Sequence, residues 1–150
     1  MEISLRYDAQ TANIKDRCEL EVALTDKNIN NVEDYCDAVF GSLYLFGPNV
    51  PQPEILTKKF GQAKFVIGEI AIVSTNYTNL SFLQSVSRIE LFYNRFAPNS
   101  LERYVRIEDN ANLTRLSWPN LKVCILFEGP TKDAGNDQLA AICIYVKSSH

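Results

Sequence analysis

The sequence predicts a mainly β fold, an antiparallel sandwich or barrel with a jelly roll as one form of it, spanning residues 1–150 as a single domain with one short helix near 32–40. Three observations predict it. Six or seven short stretches alternate apolar with polar residues, which is the period of a half-buried strand. Clusters of Gly, Pro, Asn and Asp separate them, and punctuated short strands are the pattern of all-β sandwiches and barrels. The chain also ends in two nearly continuous apolar runs, within LKVCILFEGPTKDAGNDQLAAICIYV (121–146).

In chain order, ISLRY (3–7) reads as a short strand and DAQTAN as a turn. RCELEVALT (17–25) alternates most regularly: Cys18, Leu20, Val22 and Leu24 share one face, and Arg17, Glu19 and Glu21 the other. NVEDYCDAVFGSLYLF (31–46) has two readings. Asn31 is a suitable N-cap, Glu33 and Asp34 suit the positive end of a helix, and Val32, Tyr35, Cys36, Val39, Phe40 and Leu43 recur at helical spacing, so a helix is expected from about 32 to 40. The competing reading is a strand over AVFGSLYLF, which its aromatic content favours. GPNVPQPE (47–54) holds three prolines and reads as an irregular loop. AKFVIGEIAIVST (63–75) is a long strand with Gly68 as a candidate bulge. RIELFYNRF (88–96) and ERYVRIED (102–109) read as two further strands. No internal repeat is visible.

The last two runs are read as a hairpin with Glu128 opposite Leu139. Its register sets Val123 against Ile144 and Ile125 against Ile142 on a face turned to the core. The other face carries Lys122, Cys124, Leu126, Ala141, Cys143 and Tyr145, dry at its centre and polar at its ends. Either the Val32–Leu43 helix or a second copy of the chain covers it, and an uncovered apolar patch of this kind would mark an interaction site. These six residues are therefore the candidate interface.

Composition bounds the chemistry. Apolar residues make up 46% and charged residues 22% of the 150, ordinary values for a globular protein. Net charge is -3, split unevenly: residues 1–56 carry -6 and residues 57–150 carry +3. Such a division lets two halves, or two copies, attract each other. The only histidine is His150, so a Ser-His-Asp triad, a Cys-His pair and a His-based metal site lack their imidazole. GxGxxG, GxxxxGK[ST] and GxSxG are absent. No enzyme, metal or cofactor is expected.

Arg88, Arg95, Arg103 and Arg106 interleave with Tyr93 and Tyr104, a basic and aromatic surface of the kind that binds single-stranded nucleic acid by stacking. Neighbouring Glu90, Glu102, Glu108 and Asp109 offset that charge, and the acidic overall balance disfavours nucleic acid. Cys18, Cys36, Cys124 and Cys143 form no C-x-x-C pair. With no basic-then-apolar start in MEISLRYDAQ, they are expected as reduced core residues of a cytoplasmic protein without a membrane span; were any pair to close, it would be Cys124 with Cys143. On the same ground, the N-x-[ST] triplets at Asn76, Asn79 and Asn112 are expected to be unused. The expected function is non-enzymatic: an assembly or interaction module, probable partners being its own copies or another protein. The alternatives are a sheet that binds a polymer (single-stranded nucleic acid or carbohydrate) and, behind it, a small carboxylate-dependent enzyme.

Overall fold

A computed structural model of the chain describes residues 16–91, 105–126 and 144–147. Among the described residues, seven strands form one sheet: β1 (Arg17–Leu20), β2 (Ala38–Phe46), β3 (Phe65–Val73), β4 (Arg88–Leu91), β5 (Val105–Glu108), β6 (Val123–Leu126) and β7 (Ile144–Lys147). Every pairing is parallel. The sheet runs β1-β2-β3-β4-β6, while β5 joins β3 and β7 joins β5. The antiparallel sandwich or barrel expected from the sequence is thus corrected to a solenoid of parallel rungs.

Each rung returns the chain to the same point. Arg17, Ala38, Phe65, Arg88 and Val123 are successive partners, at spacings of 21, 27, 23 and 35 residues. Connections of this length are what parallel strands require, because a tight turn can only reverse the chain. A backbone hydrogen-bond column runs beside the strands: Asp37 N–H donates to Asp16 O (2.7 Å), Lys64 N–H to Asp37 O (2.9 Å), Ser87 N–H to Lys64 O (2.9 Å) and Lys122 N–H to Ser87 O (2.9 Å).

Side chains alternate in and out, so one row from each rung stacks inside. Cys18, Val39, Val66, Ile89 and Cys124 are consecutive partners, none more than 6% exposed. Further along the strands, Leu45, Ile72 and Ile107 stack in the same way, each fully buried. The returning segments close over these rows. Helix α1 (Pro53–Phe60) contributes Leu56 and Phe60, the 3-10 turn Ser81–Leu83 contributes Phe82 and Leu83, and Ile29, Cys36, Tyr77 and Leu80 complete the core.

Two glycines divide the sheet into legs. Gly41 and Gly68 are partners, with φ of 104° and 145°, a region that glycine enters without the steric cost of a Cβ. A Cβ on Gly68 would collide with Gly41 O, and one on Gly41 with Leu20 O. Before Gly68, β3 pairs with β4; beyond it, β3 pairs with β5.

Several local expectations change. The helix near 32–40 is absent: Ala38–Phe46 is β2, the competing strand reading, and Val39, Leu43 and Leu45 point inward while Phe40 points out. Period-2 burial of branched and aromatic residues outweighs the helical spacing. The helix lies instead in the proline-rich stretch, where Pro53 occupies its first turn and loses no hydrogen bond there. Among the described residues, the hairpin register over 121–146 is not seen: β6 pairs with β4 and β7 with β5, and residues 127–143 lie outside the described ones. Alternation is the same in parallel and antiparallel strands, so it cannot set direction. In 17–25, Cys18, Leu20 and Leu24 are buried as read, but Val22 is 63% exposed. Reduced thiols are also overturned: Cys18 and Cys36 form a disulfide across 18 residues of chain, and Cys124 is disulfide-bonded to a partner outside the described residues.

Candidate protein-binding face

The outward residues of the rungs form the second face of the sheet. Glu19, Phe40, Ile67 and Glu90 are successive partners there, opposite in direction to the row of Cys18, Val39, Val66 and Ile89. This face is uneven. Ile67 and Ala71 are at most 3% exposed although neither belongs to the inner core, and Glu90 is 1% exposed. Toward β1 and the far end of β2 the face opens: Arg17 and Glu19 are exposed, Phe40 and Tyr44 are half-buried, and Phe46 is 45% exposed.

The open part is aromatic and ordered. The Arg17 guanidinium carbon lies 4.8 Å from the centroid of the Phe40 ring, within range of a cation–π attraction. Tyr44 and Phe46, two positions apart on one face of β2, hold their rings 5.4 Å apart at a tilted 33°. Among the described strands β1 is an edge, and a cleft of about 610 Å³ lies along it, lined by Asp16, Arg17, Glu19, Asn31, Val32 and Glu33. Exposed aromatic rings beside charged residues offer a large contact area at small entropic cost, which is the composition of binding hot spots.

The loop bordering the cleft is anchored from beneath. Cys36 ties it to β1 through the disulfide. Lys59 of α1, 8% exposed, donates from Nζ to Val32 O (2.6 Å) and pairs with Asp34 Oδ1 (2.7 Å). The Lys59–Asp34 hydrogen bond, with the charges of Lys58 and Lys59, outweighs the burial penalty and holds the Asp34 carboxyl below its ordinary pKa. Tyr35 N–H and Cys36 N–H donate to Lys58 O and Lys59 O at 3.0 and 2.8 Å. Tyr35, at φ 60°, is left 55% exposed.

Of the residues singled out from the sequence, Arg88 and Arg106 lie on this outward face, but on different legs of the sheet. Each has a carboxylate on its own strand: Arg88 Nη2 is 3.7 Å from Glu90 Oε1, and Arg106 Nε is 3.0 Å from Glu108 Oε2. The contact sets a counter-charge beside each arginine, the almost buried Glu90 among them, and reduces the free positive charge a nucleic acid would seek. Arg95, Arg103, Tyr93 and Tyr104 lie outside the described residues. Lys122 is exposed just before β6, whereas Cys124 stands at the end of the inner row. Leu126 and Tyr145 occupy register positions in β6 and β7, and Ala141 and Cys143 lie outside the described residues. The open aromatic patch was missed, because Phe40 was assigned to a helix stripe and Tyr44 and Phe46 to no face. Reading AVFGSLYLF at period 2 would have placed all three together.

The sequence profile of the receptor L domain family matches residues 35–139, more than half of the chain. No curated protein matches it. Receptor L domains are non-catalytic modules that bind ligands or proteins in the extracellular regions of receptors. Together with the Cys18–Cys36 disulfide, this overturns the cytoplasmic placement, since such bonds persist in oxidising compartments. Winding, disulfide and profile lead to one assignment: the chain belongs to the receptor L domain family.

Proposed function

We propose that this chain is the protein-binding module of an extracellular protein, and that its partner docks on the open part of the outward sheet face, around Phe40, Tyr44 and Phe46, with Arg17 and Glu19 at the rim. The packed ring pair of β2, half-buried Tyr44 against exposed Phe46, carries the reading. The inner row is consumed by the core, so on the sheet only the outward residues are available to a partner.

The test is a screen of the secreted chain against an array of receptor ectodomains and secreted proteins. A partner whose binding falls at least tenfold with Phe46→Glu and stays unchanged with Gln84→Glu, an exposed position elsewhere on the coil, supports the proposal. Tenfold corresponds to about 1.4 kcal/mol, a modest hot-spot contribution. Binding indifferent to Phe46, Arg17 and Glu19 contradicts it.

Self-association is a narrower form of the same reading. The outward face carries charges of both signs at neighbouring positions, Arg17 with Glu19 and Arg106 with Glu108, so it can complement a second copy of itself. Light scattering at rising concentration distinguishes the two. A mass that doubles in the wild type but not in Phe46→Glu selects the homo-oligomer; a constant monomer mass selects a foreign partner.

A further inference from the structure

Another wall of the coil carries two similar triplets side by side. Beyond β3 and β5 the chain segments again run parallel: Asn79 bridges Arg115, Leu80 N–H donates to Leu116 O (3.2 Å), and Thr114 N–H and Oγ1 both donate to Thr78 O (2.9 and 3.1 Å). This is an offset of 36 residues, against 35 at the strand ends, where Val73 faces Glu108. Asn76 therefore comes opposite Ala111–Asn112, and Asn76-Tyr77-Thr78 lies beside Asn112-Leu113-Thr114 in adjacent rungs.

The two triplets share an orientation. Their middle residues point inward: Tyr77 is 4% exposed and donates its hydroxyl to Pro51 O (2.7 Å), and Leu113 packs on the core. Their outer residues Asn76, Thr78, Asn112 and Thr114 are all exposed. The third triplet is built differently. Asn79 is half-buried and its Oδ1 accepts the Ser81 N–H at 3.0 Å, while the hydroxyl-bearing Ser81 is itself half-buried in a 3-10 turn between buried Leu80 and Phe82.

We propose that Asn76 and Asn112 carry N-linked glycans and that Asn79 does not. This rests on the extracellular reading above. In the modification, Asn Nδ2 forms a bond to the anomeric carbon of a lipid-pyrophosphate-linked oligosaccharide, loses one proton, and the lipid pyrophosphate leaves; nothing is oxidised or reduced. The N-x-[ST] pattern admits all three asparagines, but only two present the side-chain amide to solvent with room for a polar oligosaccharide. The Asn79 side chain is half-buried with its Oδ1 held by the Ser81 N–H, three residues from Asn76. Two glycans on this wall would also keep partners off it and leave the outward sheet face for docking.

The experiment expresses the full chain behind a secretory leader in eukaryotic cells and digests the secreted, folded protein with peptide-N-glycosidase, which converts each formerly glycosylated asparagine to aspartate. Aspartate at 76 and 112, with asparagine kept at 79, is the expected peptide map. Asn76→Gln and Asn112→Gln should each remove one glycan from the intact mass, the double variant both, and Asn79→Gln none. A folded, secreted chain with Asn76 and Asn112 unmodified, or with Asn79 modified, overturns the proposal. The leader forces exposure to the transferase, so this result reads the sites whatever the natural compartment. Glycan on the leader-directed chain but absent from the protein isolated from its own cells would instead sink the extracellular reading.

Discussion

The two faces of the same strands differ in what they demand of the sequence. The inner row, Cys18–Val39–Val66–Ile89–Cys124, is uniformly small or branched and apolar, with a cysteine at each end. The outward row one residue along, Glu19–Phe40–Ile67–Glu90, mixes charge, aromatic and aliphatic residues. Inner positions must match the rung above and below, because interiors are packed as densely as organic crystals and a missing methylene is felt. Outward positions are constrained less evenly: Ile67, Ala71 and Glu90 are buried, whereas Glu19 and Phe46 are exposed. That freedom is what allows a binding surface to be written on one face of a sheet while the other holds the fold.

Substitutions on the two faces should separate cleanly. Ile89→Ala, inside, should cost roughly 2–5 kcal/mol in chemical denaturation, the range for truncating a buried aliphatic side chain. A loss below about 1 kcal/mol would mean that the inner row is not packed as described. Removing the staple at one end of that row with Cys18→Ser and Cys36→Ser together should cost about 3 kcal/mol, since the bridge closes a loop near the length for which chain entropy gives that value. Unchanged stability of the double variant under non-reducing conditions would break the link between the disulfide and the first rung.

A third substitution probes the loop beside the cleft. The folded Asp34 carboxyl titrates below its unfolded value, so its contribution is present above the ordinary carboxylate range and is lost as pH falls through the folded value. Asp34→Asn should therefore melt below the wild type at neutral pH, with the gap closing as pH falls below the ordinary carboxylate range. A gap that persists at low pH would show that Asp34 acts by something other than its charge. The smallest effect belongs to the outward face: Phe46→Ala should change stability by less than about 0.5 kcal/mol, although the proposed docking centres on its ring. A large loss there would make Phe46 a core residue and withdraw the patch.

Most strands were legible because period-2 burial survives any pairing. Ala38–Phe46, Phe65–Val73, Arg88–Leu91 and Val105–Glu108 all fall within stretches readable as strands, the first as the competing reading. Direction was not legible from alternation. It was available in the connections: rungs begin 21, 27, 23 and 35 residues apart, too far for hairpins and too irregular to register as a repeat at one period. The final apolar runs drew the hairpin reading because they are neighbours in sequence, yet β6 is completed by β4 and β7 by β5. Gly68 reads from the sequence as a bulge, but the β2–β3 register runs through it unbroken, and its role is a close approach to its partner Gly41. Of the candidate basic and aromatic surface, Arg88 and Arg106 fall on the outward side of β4 and β5, both half-buried. Their neutralisation by Glu90 and Glu108 at i+2 follows from strand geometry, which puts those residues on one face. The Cys18–Cys36 bridge left no local signature, since the two cysteines stand 18 positions apart in sequence and only the first rung brings them to a Cα separation of 5.7 Å.

The account stands on the parallel winding that turns Val39, Val66 and Ile89 into one inner row. Methyl–methyl nuclear Overhauser effects on a methyl-labelled sample read that row directly, because neighbouring strands lie about 4.8 Å apart. Cross-peaks from Val39 to Val66 and from Val66 to Ile89, with none between Val123 and Ile144, are the predicted result. Absence of the first two together with a strong Val123–Ile144 cross-peak would restore the antiparallel hairpin and contradict the solenoid.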